Sequence, residues 1–323
     1  MKTLVTGGAG YIGSACVEQL VRAGHEVTVF DNLSEGHRSA VHPSARLVVG
    51  CLSDPAAISG ALQASSAEAV IHFAASALVG ESMQQPGKYF RNNVSNGVNL
   101  LEACVANRVR KIVFSSTCAT YGTPERVPID ESLPQRPINP YGESKLMLER
   151  LMPWYHQIHG LEYVGFRYFN AAGATPRFGE HHRIESHLIP NILRVPLGQA
   201  PSVTVFGSDY PTPDGTCIRD YVHILDLADA HIAALRPGTC GFFNLGSGVG
   251  ASVREVIQTC ERVTGKAIRV EAKPRRAGDP PSLVASPGLA RSTFGWSPKL
   301  ARLEDIVASA WAWHQANPNG YPD

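Results

Sequence analysis

The chain has 323 residues, 44% of them hydrophobic and 18% charged, enough to bury one large core or two smaller ones. With 29 basic against 28 acidic residues the formal charge is only +1, which excludes a global field directed at nucleic acid or a membrane surface. The seven cysteines are scattered and never spaced C-x-x-C; without a signal peptide or an apolar run of ~18 residues, they predict reduced thiols in a cytoplasmic protein.

A short β-branched run, residues 2–6, leads straight into Gly7-Gly8-Ala9-Gly10-Tyr11-Ile12-Gly13. Ile12, Cys16, Leu20 and Ala23 then recur at helical spacing, and residues 25–31 (HEVTVFD) read as a second strand closing on Asp31. Gly8, Gly10 and Gly13 give G-x-G-x-x-G, in which glycine lets the backbone turn tightly and approach a pyrophosphate resting on the helix N-terminus. Strand, glycines, helix, strand and acid occur in the order a dinucleotide site needs. A carboxylate at Asp31 accepts hydrogen bonds from adenosine ribose hydroxyls and repels a 2′-phosphate, so the cofactor expected is NAD rather than NADP, with Arg38 a weaker signal the other way.

Strands are predicted at 46–49, 69–73 and 111–115, with a helix over 93–106 that carries Val94, Val98, Leu101 and Val105 on one face. This alternation predicts an α/β fold, a Rossmann-type doubly wound parallel sheet. Ligands bind at the carboxyl ends of such strands, here Thr6-Gly7, Asp31, Phe73-Ala74-Ala75 and Ser115-Ser116-Thr117. Thr117 thus emerges at the lip of the sheet, where its hydroxyl could meet a substrate oxygen or simply pack.

After Pro134, Pro137 and Pro140, Tyr141 opens an apolar helix containing Leu146, Leu148, Leu151 and Met152. Tyr141 is the only one of ten tyrosines with a lysine, Lys145, four residues on. That spacing puts both on one helical face. A cation held beside a phenol lowers its pKa from ~10 and makes it a general base, although the spacing alone also fits a plain surface pair.

A further strand is predicted at 161–170. Beyond Asn170 the texture changes to short strands (203–206, 221–224, 242–245, 268–271), helices at 224–235, 252–264 and 303–317, and loops carrying Arg219, Arg275 and Arg276. The division expected is a dinucleotide-binding domain over 1–170 and a smaller α/β substrate lobe over 171–323, some of whose elements pack back on the first.

Gly7-x-x-Gly10-x-x-Gly13, Thr117 and Tyr141-x-x-x-Lys145 together resemble the extended short-chain dehydrogenase/reductase superfamily. More closely, the chain resembles the UDP-glucose 4-epimerase (UDP-galactose 4-epimerase) family of galactose metabolism, essentially end to end. LVTGGAGYIGS, DNLSEGHRSAV, FAASALVGES, FSSTCATYG, PYGESK, FRYFNAAGA, FGSDYPTPDGTCIRDYVHILDLADAH, FNLGSGVG and NGYPD carry the resemblance.

The resemblance implies that Tyr141 is the base for the sugar 4-hydroxyl, that Lys145 holds the nicotinamide ribose and acidifies the phenol, and that Thr117 bonds sugar oxygen and phenol. It implies NAD contacts at Gly7, Gly10, Tyr11, Ile12, Gly13, Asp31, Asn32, Leu33, Ser34, Gly36, Cys51, Leu52, Phe73, Ala74, Ala75, Ala77, Asn92 and Phe169. UDP-sugar contacts are implied at Asn170, His187, Leu188, Thr204, Val205, Phe206, Arg219, Arg276, Asp279 and Leu283. The implied reaction is transient oxidation at C4, rotation of the bound keto sugar, and return of hydride to its other face. Guanidinium groups suit the diphosphate, firm binding there leaving the hexose free to turn.

Four positions depart from familiar members of the family. Cys51 replaces an Asp at the adenine amino group, Ala77 a Lys near the ribose, His187 an Asn at the diphosphate, and Leu283 a Tyr against the sugar 2-position. The smaller Leu283 leaves room for an N-acetyl group, so a UDP-N-acetylhexosamine or a UDP-pentose stands as an alternative substrate. A dehydratase fits less well, because Cys118-Ala119 stand where such enzymes carry Asp-Glu. His181-His182 and His156-x-x-His159 lack a third ligand partner in the sequence, so no metal is expected. Broad apolar faces on the helices near 93–106 and 142–158, which relatives pair across a two-fold axis, predict a homodimer.

Overall fold

The computed structural model describes residues 1–276 and 279–323. The β-branched runs of the first half form β1 (Lys2–Thr6), β2 (Glu26–Asp31), β3 (Arg46–Val49), β4 (Ala69–His72), β5 (Lys111–Thr117) and β6 (Glu162–Tyr168). Between them lie α1 (Tyr11–Arg22), α2 (Pro55–Ser65), α3 (Val79–Gln84), α4 (Pro86–Tyr89), α5 (Asn96–Ala106) and α6 (Pro140–His159). The second half adds β7 (Asn170–Ala172), α7 (Leu188–Leu193), β8 (Val203–Phe206), β9 (Ile218–His223), α8 (Ile224–Ala234) and β10 (Gly241–Leu245). It continues with β11 (Gly250–Ser252), α9 (Val253–Thr264), β12 (Val270–Lys273), β13 (Ser282–Leu283), α10 (Gly288–Phe294) and α11 (Leu303–Ala316).

Seven parallel strands make the main sheet in the order β10-β6-β5-β4-β1-β2-β3. The order reverses around β1, and the carboxyl ends of β1 and β4 flank that reversal, where a doubly wound sheet opens its ligand crevice. Leu4, Phe30, Val70, Ile112 and Phe114 face α2, α5 and α6 through one apolar core. Val5, Val29, Ile71, Val113 and Phe166 face α1, α8 and α10 through another. α8 and β10 follow residue 170 in the chain yet belong to this sheet assembly.

The remaining elements form a second lobe around Ile189, Ile192, Val205, Val256, Ile306 and Trp311. Within it β11-β9-β13 and β7 share one small sheet, and β8 pairs with β12. Among the described residues, no helix is long and apolar enough to cross a membrane. All seven cysteines are free thiols.

The helix predicted over 93–106 differs at its start. Residues 90–95 form a π-helical turn before α5 begins at Asn96. A π turn inserts an extra residue into the helical ladder and re-aims side chains, and such turns recur at functional sites.

Candidate active site

The Gly-rich turn is fixed by close approach. Gly7 has φ +72°, and a Cβ there would lie 2.5 Å from Ala74 N; at Gly13 it would lie 2.1 Å from Gly7 O. Gly10 differs, since its added Cβ meets only Gly7 O, at 3.3 Å, leaving the space before it open. Gly10 also caps α1 through backbone alone, and the first turn of α1 carries no acidic residue. Tyr11 and Ile12 therefore open a helix whose positive end suits an anion. These features fit a dinucleotide pyrophosphate.

At the end of β2, the Asp31 carboxylate accepts from Ala9 N at 3.0 Å and Leu33 N at 2.8 Å. Burial raises its pKa, and those two bonds draw it back down. Each oxygen keeps a lone pair for a ribose hydroxyl. Asn32 orders the same loop, its Oδ1 accepting from Ser34 N at 3.0 Å and Ser34 Oγ at 2.8 Å, while its Nδ2 lies 3.8 Å from Cys51 Sγ. Gly36 passes so near Ala9 that a Cβ would approach its carbonyl carbon to 2.9 Å. Leu52 is buried beside Cys51, and its carbonyl accepts from Asn99.

Phe73 and Ala74 end β4 with both amides donating to Thr6 O. Asn93 and Ser144, to which the sequence points in no way, join Ser76 of this loop to α6. Asn93 is buried; its Oδ1 accepts from Ser76 N at 2.8 Å and its Nδ2 donates to Ser76 O at 3.0 Å and Ser144 Oγ at 2.9 Å. Neighbouring Asn92 donates to Ser76 Oγ at 3.2 Å. The π turn aims both asparagines this way, and helical spacing gives no hint of it. Ala77, where relatives carry a lysine, is exposed.

Asn139 caps α6 by accepting from Gly142 N at 2.8 Å, with Pro140 in the first turn, so Tyr141 sits at the helix start against Thr117. The Thr117 hydroxyl is near enough to the phenol to draw its pKa down, and it accepts from Ala119 N at 3.1 Å. Tyr89 packs edge-on to the Tyr141 ring, with centroids 6.4 Å apart.

Lys145, one turn on along α6, has its own partners in the protein alone. Its ammonium donates to Ser115 O at 2.8 Å and lies 4.9 Å above the Phe114 ring, turned to the strand and not to the phenol. Burial pulls it down to about 7, against the pull of Glu149 upward. Burial likewise pushes Tyr141 up to about 12, with Thr117 drawing it back. In the protein alone the groups acting on the phenol are its burial, Thr117 and Cys118, while Lys145 is engaged with Ser115 O. Two residues one helical turn apart share a face, yet long side chains on that face still choose different partners.

The other expected residues form several local sets. Arg219 donates to Ile218 O and Pro280 O, both at 2.9 Å, and its Nη2 lies 3.5 Å from Asp279 Oδ1. Arg219 is close enough to lower the pKa of Cys118, which burial still pushes up to about 12, so that thiol is a poor nucleophile. Arg276 lies over the Phe206 ring at 3.8 Å. Thr204, Val205 and Phe206 line β8, with Val205 buried. Arg275 turns away, onto Asp209 and the Tyr210 ring. Asn170 pairs with Tyr221 across β7 and β9. Leu283 is buried with Cys118, Tyr121, Ile129, Leu133, Phe169 and Ala285 between the two lobes.

His187 precedes Leu188 at the start of α7. Its Nδ1 lies 3.0 Å from Glu180 Oε1 and 2.9 Å from Glu185 Oε1. Burial opposes its charge, but the two carboxylates raise its pKa well above the ordinary value. Glu180, Glu185, His187 and His182 together place four metal-ligand atoms within 4.8 Å. The His181-His182 pair lacked a third ligand in the sequence; the fold brings His182 together with Glu180, Glu185 and His187, which bonds both carboxylates.

A family model for the "NAD dependent epimerase/dehydratase family" matches residues 3–246. The chain is 50% identical to a UDP-glucose 4-epimerase of Halalkalibacterium halodurans over 99% of this chain and 98% of that one. Its structure is similar to that of a UDP-glucose 4-epimerase from Brucella ovis in complex with NAD, with TM-score 0.93, 46% identity and 96% and 97% of the two chains covered. It is also similar to one from Bifidobacterium longum in complex with NAD+ and UDP, with TM-score 0.95, 36% identity and 99% and 100% covered.

Proposed function

The chain belongs to the NAD dependent epimerase/dehydratase family, and on that premise we propose that it interconverts UDP-glucose and UDP-galactose by inverting C4, with NAD as cofactor. The observation that carries this reading is the nearness of Tyr141 to Thr117 at the carboxyl end of β5, in the sheet whose β1 leads into the Gly-rich turn, with Arg219 close to Cys118, the residue after Thr117.

When bound, NAD supplies the two-electron oxidant and then reductant that C4 needs in turn. The Gly7-Gly13 turn and the α1 N-terminus hold the pyrophosphate, the Asp31–Gly36 loop the adenosine ribose, and Lys145 the nicotinamide ribose. The phenol oxygen of Tyr141 removes the proton of the 4-hydroxyl and returns one to that oxygen after the sugar has turned. Because that phenol holds its proton at neutral pH in the protein alone, its base form arises within the loaded site. The Thr117 hydroxyl aligns both oxygens. Arg219 and Arg276 bind the diphosphate, so binding energy falls on the nucleotide and leaves the hexose loose.

The test is incubation of the purified protein with UDP-galactose and assay for UDP-glucose. Tyr141→Phe should abolish interconversion while UDP still binds; an unchanged rate would overturn the reading. A second reading, turnover of a UDP-N-acetylhexosamine, is supported by the modest bulk of Leu283 in the cluster between the lobes.

We also read the protein as a cytoplasmic homodimer, supported by its free thiols and by Met147, Trp154 and Ile158, exposed on α6 at 38%, 60% and 67%. A monomer by light scattering would contradict the dimer.

A further inference from the structure

The loop after β2, expected at the adenosine ribose, is held from two sides. Leu33 has φ +59°, a conformation that a side-chain-bearing residue keeps only where its surroundings over-determine it. From inside, Asp31 holds Leu33 N, and His37 N donates to Ala9 O at 2.9 Å.

From outside, the loop is gripped by residues far along the chain. Arg183 Nε donates to Ser34 O at 2.7 Å and its Nη2 to Leu33 O at 3.2 Å, so one guanidinium spans the strained turn. His37 lies with Nε2 3.1 Å from His181 O and Nδ1 2.5 Å from Asp323 O, while its ring stacks on His181 at 4.8 Å and contacts Tyr321 at 5.0 Å. The Asp323 carboxylate accepts from Ser39 N at 3.2 and 3.3 Å and from Ser39 Oγ. Tyr321 in turn donates its amide to His181 Nδ1 at 3.1 Å, and its hydroxyl accepts from Gly179 N at 3.0 Å. Residues 179–183 and 321–323 thus form one hydrogen-bonded unit around the loop.

We propose that Arg183 and Asp323, with His37 as their partner in the loop, are positioning residues for the cofactor: residues 179–183 and 321–323 form a clamp that holds the 31–39 loop in the shape that retains NAD. The inference rests on the proposed NAD site and deepens it. None of the three needs to touch the dinucleotide. Each acts by raising the free energy of the open loop, so that NAD leaves only when the clamp lets go. Retention matters for this chemistry, because a cofactor lost between oxidation and reduction strands a keto sugar.

The test compares the full-length protein with Arg183→Ala, Arg183→Lys and Asp323→Ala, measuring bound NAD after gel filtration and its dissociation rate. Arg183 is exposed, so its truncation leaves the fold intact. Loss of a charged donor to two carbonyls should speed NAD release about tenfold in Arg183→Ala. Asp323→Ala should follow, and Arg183→Lys, which keeps the charge without the fork, should recover part of the loss. UDP affinity should not move, and the melting temperature of the NAD-stripped protein should fall by no more than a few degrees, which separates the clamp from general damage. Wild-type protein that retains NAD, with variants releasing it at the same rate, would overturn the clamp and leave the NAD site standing. Wild-type protein with no affinity for NAD would overturn both.

Discussion

Arg167 grips the Glu149 carboxylate beneath the active-site helix, its Nε lying 3.1 and 3.2 Å from the two oxygens and its Nη2 2.7 Å from Oε2. Both side chains are buried. Glu149 lies one turn beyond Lys145 on α6, and Ser116, adjacent to Thr117, hydrogen-bonds the same carboxylate. The second guanidinium arm donates to Tyr121 Oη at 2.8 Å, which donates to Asn244 Oδ1 at 2.8 Å. One buried polar network therefore joins the strand of Thr117, the helix of Tyr141 and Lys145, and the edge strand β10. It fixes the relative position of three side chains proposed as catalytic, which the backbone alone brings only near one another.

Removing one partner of that pair should be far worse than removing both. Arg167→Met leaves Glu149 buried without a counter-charge and should cost about 3–5 kcal/mol of stability. The double variant Arg167→Met/Glu149→Leu should recover much of this loss. Urea denaturation of the two single variants and the double decides it, equal losses in all three being the contrary result.

Lys145 should make the protein less stable at low pH than a variant without it. Burial brings its pKa to about 7 from 10.5. The unfolded chain then binds more protons than the folded one between those values, so stability rises with pH across that window. Below about pH 7 the full penalty is present, on the order of a few kcal/mol, less ~1 kcal/mol for the bond to Ser115 O. Lys145→Met, stripped of NAD, should melt higher than wild type at pH 6, converge with it toward pH 10, and lose epimerase activity throughout. A difference in melting temperature that stays constant with pH would refute this.

The parts of this site that are readable from sequence are those set by local chemistry. Gly7 to Gly13, Asp31 and the β-branched strands announce a dinucleotide crevice because sterics and period-two patterning act over a few residues. Tyr141 and Lys145 are legible as neighbours for the same reason. The partner of the Lys145 ammonium is not, because Ser115 lies 30 residues away and its carbonyl has no side-chain signature. Asp54 and Pro55 mark the start of α2, yet its Ala-, Ser- and Gly-rich body hides the helical stripe that Ile58 and Leu62 supply. The Glu149–Arg167 pair and the grip of Arg183 on residues 33–34 are contacts between residues far apart in the chain, and the π turn is a local change of ladder, so hydrophobic period speaks to none of them.

Gly13→Ala should remove the cofactor turn. The added Cβ would stand 2.1 Å from Gly7 O, and 2.9 Å from Gly8 Cα, with backbone on both sides and no flexible side chain to yield. Either α1 shifts or the turn opens, and each displaces the helix N-terminus from the pyrophosphate. The expected outcome is protein that no longer copurifies with NAD, by absorbance and by extraction, while UDP still binds by calorimetry. Full NAD occupancy would show that the turn is not where the pyrophosphate sits.

Leu283→Tyr should narrow substrate choice. Leu283 pairs in register with Arg219, and its side chain packs on Cys118 and Phe169, next to Thr117 and Asn170 respectively. The surrounding cluster is full, so added bulk moves toward the crevice at an over-packing cost of ~1–3 kcal/mol. An N-acetyl group needs that space and a hydroxyl does not. The ratio of kcat/KM for UDP-N-acetylgalactosamine to that for UDP-galactose should therefore fall about 10–200-fold, the range a pocket gains by excluding a small group. Both constants can be read in one coupled assay at matched enzyme concentration. If the ratio holds while UDP-galactose turnover survives, residue 283 does not face the sugar, and selectivity lies elsewhere in the lobe.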